Sequence, residues 1–461
     1  MITADWTARG QAEAVARRQI SARELLELHL ARIAERNPEL TAIVSLDEER
    51  ARAGAAAADE HLARGGPVGP LHGLPFAFKD THDVAGWRTT YGSPLFADHV
   101  PETDELVVER IRQAGVVVLG KTNVPEFAAG SHTFNRVFGT TRNPVDPSRS
   151  AGGSSGGAAC ALASGMVPLA EGSDMGGSLR NPASFCGVVG MRPSLGRVPA
   201  WPAANQWETT ATAGPMARTV GDVALLLSVI AGPDPRVPHA LGHAGPTFAP
   251  PLHGRLAGLR VGWSCDLGGA LRVDPQVAAV VEEAGRLLVR SGASVFDAHP
   301  DLGLGEDTFR TLRAWHFQAS FGDLLREHPD GLKESLAENI RAGEALTGAD
   351  VARGYEQRTA LSEEMRRFFG DYDLLVLPTS QVAPFPADQE YPTEIDGEPM
   401  TTYLDWMRSS YLITVTGCPA ISVPAGHTPE GLPVGVQLVA PHGQDRRLLE
   451  VAAAFEAARG W

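Results

Sequence analysis

The sequence predicts an α/β protein: one large twisted mixed β-sheet covered on both faces by α-helices. Three observations predict it. Amphipathic stretches with helical spacing alternate with short β-branched or apolar runs along most of the chain. At 461 residues, 43% hydrophobic and 21% charged, the chain has enough apolar material for a large buried core. No internal repeat, low-complexity tract or charge-run linker divides it, and connections such as Gly232-Pro-Asp-Pro and Phe248-Ala-Pro-Pro-Leu are short, so residues 1–461 are expected to form a single domain.

The elements follow in order. Ser21-Ala-Arg-Glu24 is a capping box opening a helix with Leu26, Leu30 and Ile33 on one face. An alanine-rich helix is expected over about 47–64, stopped by Gly65-Gly66-Pro67. Residues 74–80 form a short buried strand that carries Lys79 at its end, a position where α/β proteins keep function. Thr103 is expected to cap a helix through Gln113, followed by a strand over 115–119. Residues 158–165 suit a short helix and 166–170 a strand. Beyond them the pattern predicts helices over 219–230 and 274–290, strands over 259–263 and 293–296, and a mostly helical block at 305–370. Strands over 374–377, 420–423 and 434–439 and a closing helix over 446–458 complete it.

Charge and composition exclude several functions. A formal net charge of −15 disfavours nucleic acid or an anionic membrane as partner, because phosphate recognition needs a basic face. Cys160, Cys186, Cys265 and Cys418 are far apart without metal-ligand spacing, so buried free thiols are expected, with neither a disulfide framework nor a metal. No basic flank with an apolar core opens the chain, and no run of about eighteen uncharged apolar residues occurs. The expectation is a cytoplasmic protein acting on a small molecule, with no cofactor.

The chemistry concentrates at 151–190, where GGSSGG (152–157) and SDMGGS (173–178) each present a hydroxyl on bare backbone. Glycine lets amide N–H groups converge on one point, so the second cluster suits a nucleophile with its own anion-binding nest. Two other motif matches fail on context. Gly115-Val-Val-Val-Leu-Gly120-Lys121-Thr122 has phosphate-loop spacing, but the intervening residues are themselves a strand. Gly153-Ser154-Ser155-Gly156-Gly157 matches a nucleophile elbow on Ser155, but a proline-broken loop precedes it instead of a strand. What remains is a serine activated by a lysine, which must be neutral and hence desolvated. Lys79, behind Phe76-Ala-Phe78, fits better than Lys121, which suits a structural lysine bonding loop carbonyls.

The segments GPLHGLPFAFKD, VVVLGKTNVPEFA, GTTRNP, GGSSGGAA and GSDMGGSLRNPASFCGVVGMRP, within 67–220, resemble the amidase signature family, and the tail GCPAISVPAG…GLPVGVQLVAP resembles its closing strands. The resemblance implies the amidase-signature fold and a serine hydrolase of C–N bonds acting with water. It implies Lys79 as base, Ser154 as proton bridge after a cis peptide bond, and Ser178 as the nucleophile that carries the acyl group. Backbone N–H groups of Met175, Gly176, Gly177 and Ser178 would hold the oxyanion. Asp174 and Arg180 are expected to form an ion pair fixing the loop, and Ser155 to cap the helix beginning there. Ser173 either bonds the catalytic lysine or serine or fills a turn. Ala128, Ala129 and Gly130 are placed by the resemblance against the acyl pocket.

Trp201, Trp207, Trp315, Tyr403 and Trp406 lie outside the shared motif and either wall an apolar pocket or belong to the core. Together they lean the substrate toward apolar or aromatic amides, anilides, carbamates or esters. The alternative implied by the resemblance is the A subunit of a glutamyl-tRNA amidotransferase, which releases ammonia from glutamine within a complex. VPEFAAGSHTF after Lys121-Thr-Asn departs from the pattern of that component and favours a stand-alone enzyme, with a homodimer left open.

Overall fold

A computed structural model describes residues 2–460. Helix α1 (Ala8–Ala16) leads to α2 (Ala22–Leu40), where the Ser21 hydroxyl accepts the Glu24 N–H and the Glu24 carboxylate accepts the Ser21 N–H. Leu25, Leu26, Leu30 and Ile33 turn inward from it. Strand β1 (Ile43–Val44) precedes α3 (Glu48–Ala63), capped by Asp47. Strand β2 (Pro75–Lys79), helix α4 (Leu106–Gln113) and strand β3 (Val117–Thr122) follow. A three-stranded sheet results, ordered β1-β3-β2, with β3 antiparallel to β1 and parallel to β2.

The chain then forms a small hairpin of β4 (Phe134–Asn135) and β5 (Gly139–Thr140), helix α5 (Gly156–Ala163), strand β6 (Leu169–Asp174) and helix α6 (Arg180–Cys186). Strands β7 (Val189–Arg192) and β8 (Thr212–Ala217), helix α7 (Val220–Ile230), strand β9 (Arg260–Trp263), helix α8 (Pro275–Arg290) and strand β10 (Ser294–Asp297) continue it. The helical block is α9 (Gly305–Glu327), α10 (Glu334–Glu344) and α11 (Gly348–Asp371). Strand β11 (Leu374–Pro378), a hairpin of β12 (Glu394–Ile395) and β13 (Glu398–Pro399), helix α12 (Arg408–Thr414), strands β14 (Ala420–His427) and β15 (Pro433–Val439) and helix α13 (Asp445–Arg459) complete the chain.

Eight strands form the main sheet in the order β10-β9-β11-β15-β14-β7-β8-β6. It is mixed: β10, β9 and β11 run parallel, and every later pairing is antiparallel. Both faces are covered. Along β11, Leu374 and Val376 enter one apolar cluster with α2, α7, α8 and α13, while Leu375 and Leu377 enter another with α9, α11 and α12. That alternation is the two-residue period of a strand buried on both sides.

Four details differ from the sequence expectation. Thr103 does not cap α4; Glu105 holds the cap position without a side-chain bond, and Leu106 N–H donates to the Trp201 carbonyl at 2.8 Å, so a tertiary partner replaces the cap. Strand β6 starts after Pro168 and runs through Glu171 to Asp174, further than the apolar run at 166–170. Strands β7 and β8 lack a sequence signal because Gly190, Gly214 and Pro215 interrupt them. Pro215 lies opposite Glu171 of β6, beyond the β7 pairing, which reaches only Ala217 and Met216. Finally, β2 and β3 belong to the small sheet and not to the large one.

The start of α13 is anchored by a buried ion pair. Asp445 accepts Arg197 Nε at 3.0 Å and Ser194 N–H at 2.8 Å, with both side chains of the pair fully buried. Asp445→Ala would leave Arg197 without its counter-charge, and a loss of about 3–5 kcal/mol is expected in urea denaturation. A midpoint equal to wild type would show that the pair does not hold the helix.

Candidate active site

Two strand ends and a serine-rich turn build the site. Lys79 ends β2, and Ser173 and Asp174 end β6. Glu171 joins the two strands, its Oε1 accepting the Lys79 N–H at 2.7 Å. From there the Lys79 side chain reaches three hydroxyls, with Nζ 2.8 Å from Ser154 Oγ, 2.9 Å from Ser155 Oγ and 2.9 Å from Ser173 Oγ. Gly172 permits this convergence, because a Cβ there would lie 2.4 Å from Ser155 Oγ. The peptide between Gly153 and Ser154 is cis. Its own carbonyl and the one before it are held by Ser131 Oγ, which donates to Gly153 O at 2.6 Å, and Thr133 Oγ1, which donates to Gly152 O at 2.9 Å. Ser155 N–H donates to the Ser178 carbonyl at 3.2 Å and so ties the two serine clusters together.

Burial sets the electrostatics. Lys79 is fully enclosed, and loss of its water lowers its pKa to about 7, with Glu171 and Asp174 opposing a larger fall. For Asp174, burial alone would raise the pKa, but the charges of Arg180 and Arg192 outweigh it and hold the carboxyl well below its ordinary range. Arg180 meets Asp174 through Nε at 3.0 Å and Nη2 at 2.8 Å, and both side chains are fully buried. The same carboxylate accepts the N–H groups of Gly177 at 3.0 Å and Leu179 at 3.1 Å, so it clamps the loop from 175 to 179 from within.

That loop forms one wall of a cavity of about 130 Å³. Ser154, Ser173, Ser178, Met175 and Gly176 face it, together with Ala128, Gly130, Phe127, Ala211, Arg313, His316, Phe317, Phe321 and Met407. Gly177 is absent from the lining, and its N–H is engaged by Asp174, so it is not one of the free amides expected for an oxyanion. Its φ of +108° and a Cβ position 2.5 Å from Ser410 explain why glycine stands there. Ser155 occupies the cap position of α5 without capping it; its hydroxyl faces Lys79 instead.

The pocket expectations are corrected as well. Trp207 is 68% exposed, and Trp201 lies under the Arg236 guanidinium, away from the cavity. Trp406 is core, Trp315 packs on Tyr355, and Ala129 is buried behind the wall with its carbonyl bonded to Lys333. Phe317, Phe321 and Arg313 of α9 take the wall positions instead, and helical spacing alone could not say which face of α9 meets the serines. Lys121 is buried but bonds His82 O at 2.5 Å and Thr89 Oγ1 at 3.0 Å, away from Ser154 and Ser178. The four cysteines are free, Cys265 being half-buried. Among the described residues, no group of three or more His, Cys, Asp or Glu is placed to hold a metal, and no helix is long and apolar enough to cross a membrane.

A lysine, two consecutive serines and a glycine-serine loop in this order define the class: the chain belongs to the amidase signature family, and the family described as Amidase matches residues 24–449. It is a hydrolase of C–N amide bonds. It is 39% identical to an acylamidase from Rhodococcus erythropolis, over 98% of this chain and 94% of that one. It is 37% identical to the A subunit of a glutamyl-tRNA(Gln) amidotransferase from Prochlorococcus marinus (strain MIT 9303), over 95% of this chain and 94% of the relative. Among solved structures, a bacterial aryl acylamidase superposes with a TM-score of 0.91 at 30% identity, covering 99% of this chain and 96% of that one. A 6-aminohexanoate cyclic dimer hydrolase complexed with substrate superposes at 0.88 and 30%, covering 100% and 98%.

The Asp174 clamp can be tested directly. Asp174→Asn keeps the shape but leaves Arg180 and Arg192 facing a neutral amide, and a loss of about 3 kcal/mol or more is expected in thermal unfolding. Amide turnover should fall with it. A variant as stable and active as wild type would remove the clamp from the account.

Proposed function

We propose that the chain hydrolyses a small amide through an acyl-enzyme on Ser178, with Ser154 as proton bridge and Lys79 as base. The observation that carries this is the fully buried Lys79 amine, its pKa near 7, set 2.8 Å from Ser154 Oγ. A neutral amine donates two hydrogen bonds and accepts one. With three hydroxyls around it, Lys79 can donate to Ser155 and Ser173 and accept the proton of Ser154, which is the arrangement a base requires.

Ser178 Oγ attacks the substrate carbonyl while Ser154 takes its proton and passes its own to Lys79. The N–H groups of Met175, Gly176 and Ser178, three residues that line the cavity, would hold the oxyanion, each donor of this kind being worth about 3 to 4 kcal/mol. Collapse breaks the C–N bond, and the proton returns through Ser154 to the leaving amine. Water then attacks the ester by the same path, releasing the acid and restoring Ser178. Phe127, Phe317, Phe321, Met175 and Met407 around the cavity support an amide with an apolar or aromatic body; an anilide, carbamate or ester would follow the same path. Similarity to amidotransferase A subunits stands at nearly the same identity, so purification separates the two functions. Amide turnover by the isolated chain supports the stand-alone enzyme, and ammonia release from glutamine only with a copurifying partner supports the other.

Ser178→Ala is expected to lower kcat by about 10⁴-fold or more with the fold retained, and Lys79→Ala by about 10³-fold. Ser154→Ala should keep a small residue of activity. A fluorophosphonate should add its mass to Ser178 in wild type; labelling of Ser155 would instead restore the nucleophile elbow.

The base must be unprotonated, so kcat/KM is expected to rise with pH through about 7 and to fall about tenfold per pH unit below it. Glu171 holds the Lys79 pKa up, so Glu171→Gln should move this limb to lower pH. A limb that stays put would place the titration on another group.

A further inference from the structure

Arg313 lies on α9, in the wall of the cavity that Ser154 and Ser178 share, and is 4% exposed. A buried cationic side chain is costly unless it is paired. Arg180 and Arg192 meet Asp174, and Arg197 meets Asp445, in contacts of 2.8 to 3.4 Å. Among the described residues Arg313 has no such carboxylate. Nη1 donates to Met175 Sδ at 3.2 Å, a weak acceptor, and Nη2 to the Tyr403 hydroxyl at 2.7 Å. Nε has no acceptor, although it is buried. The planar group lies 4.1 Å over the Phe317 ring, which offsets part of the missing counter-charge and holds the fork in place.

No aspartate or glutamate is among the described residues lining the cavity, and the ionisable base that lines it beside Arg313 is His316, which burial keeps toward the neutral form. Lys333, nearby, is already matched by Glu390 at 3.3 Å. The cavity therefore pairs apolar rings with a pre-set cation that no carboxylate contacts, Glu208 reaching the lining only at His316, 3.9 Å from its Nδ1. Met175 stands three residues before Ser178 in the same loop, so an anion on Arg313 would sit beside the reacting centre.

Resting on the hydrolase function proposed above, we infer that Arg313 is a substrate-binding residue for a carboxylate, and that the preferred substrates are amides with an apolar or aromatic body and an anionic group. A carboxylate would take the free N–H donors of the fork, and a neutral isostere would leave them buried and unpaired, which is the condition for strong discrimination.

Two substrate pairs test this in kcat/KM: succinate monoanilide against butyranilide, with the charge on the acyl side, and 4-acetamidobenzoate against 4-methylacetanilide, with the charge on the amine side. Wild type is expected to favour the anionic member of at least one pair by about tenfold or more, with the ratio collapsing toward one in Arg313→Met and intermediate in Arg313→Lys. A wild-type ratio at or below one in both pairs, or a ratio unchanged in Arg313→Met, overturns the inference. Should Arg313→Met not fold, Arg313→Lys and the wild-type ratios still decide.

Calorimetric binding of 4-aminobenzoate and succinate, against toluidine and butyramide, to Ser178→Ala reads the anion site without turnover. Labelling of wild type by a neutral fluorophosphonate reads the nucleophile alone. Label on Ser178 with no preference for the anion sinks the carboxylate site only; anion binding without label on Ser178 sinks the nucleophile assignment only.

Discussion

The site depends on keeping water away from one amine. Lys79 has exchanged its hydration shell for three serine hydroxyls, and neither of the nearby carboxylates, Glu171 and Asp174, touches its Nζ. Burial pulls the amine toward neutrality while those two negative charges limit how far it falls, and the balance near 7 suits a base that must both take and return a proton. A direct carboxylate partner would have kept the lysine charged. Hydroxyls can reverse their donor and acceptor roles, so they accommodate the amine in either state.

The neighbouring buried charges divide into those that are matched and one that is not. Asp174 faces two arginines and accepts two loop N–H groups, which fixes the turn carrying Ser178 without engaging the Ser178 side chain. Asp445 and Arg197 do the same for the last helix. Such pairs gain little over apolar packing but are destructive to break, so they act as rigid fasteners. Arg313 has only a thioether, a phenol and an aromatic ring, and it lines the same cavity as Ser154 and Ser178.

Local rules described much of the chain. The capping box at Ser21, the capped helices α7 and α8, and the apolar patterns of α13 and of strands β9, β11, β14 and β15 are local, so they were legible residue by residue. The failures share a cause. Thr103 lost its helix to a backbone bond from Leu106 to Trp201; β8 hides behind Gly214 and Pro215; and β6 hides behind two carboxylates, of which Glu171 finds its partner in His82, far back in the chain. In each case a tertiary contact supplied what the local sequence lacked.

By itself the sequence determined the composition of the site: a lysine behind an apolar strand, two serine clusters in glycine-rich backbone, and an Asp174–Arg180 pair close enough in the chain to be expected. Those are short-range facts, because glycine freedom, strand periodicity and desolvation by flanking phenylalanines act within a few residues. Only the tertiary structure decided that Lys79 sits in a separate small sheet, that Ser155 and Ser173 turn to its amine, that Gly177 gives its N–H to Asp174, and that α9 brings Arg313 and Phe317 where tryptophans were expected. Each of those depends on which surfaces meet, and a helix or loop whose faces are all compatible with burial carries no local mark of its neighbour.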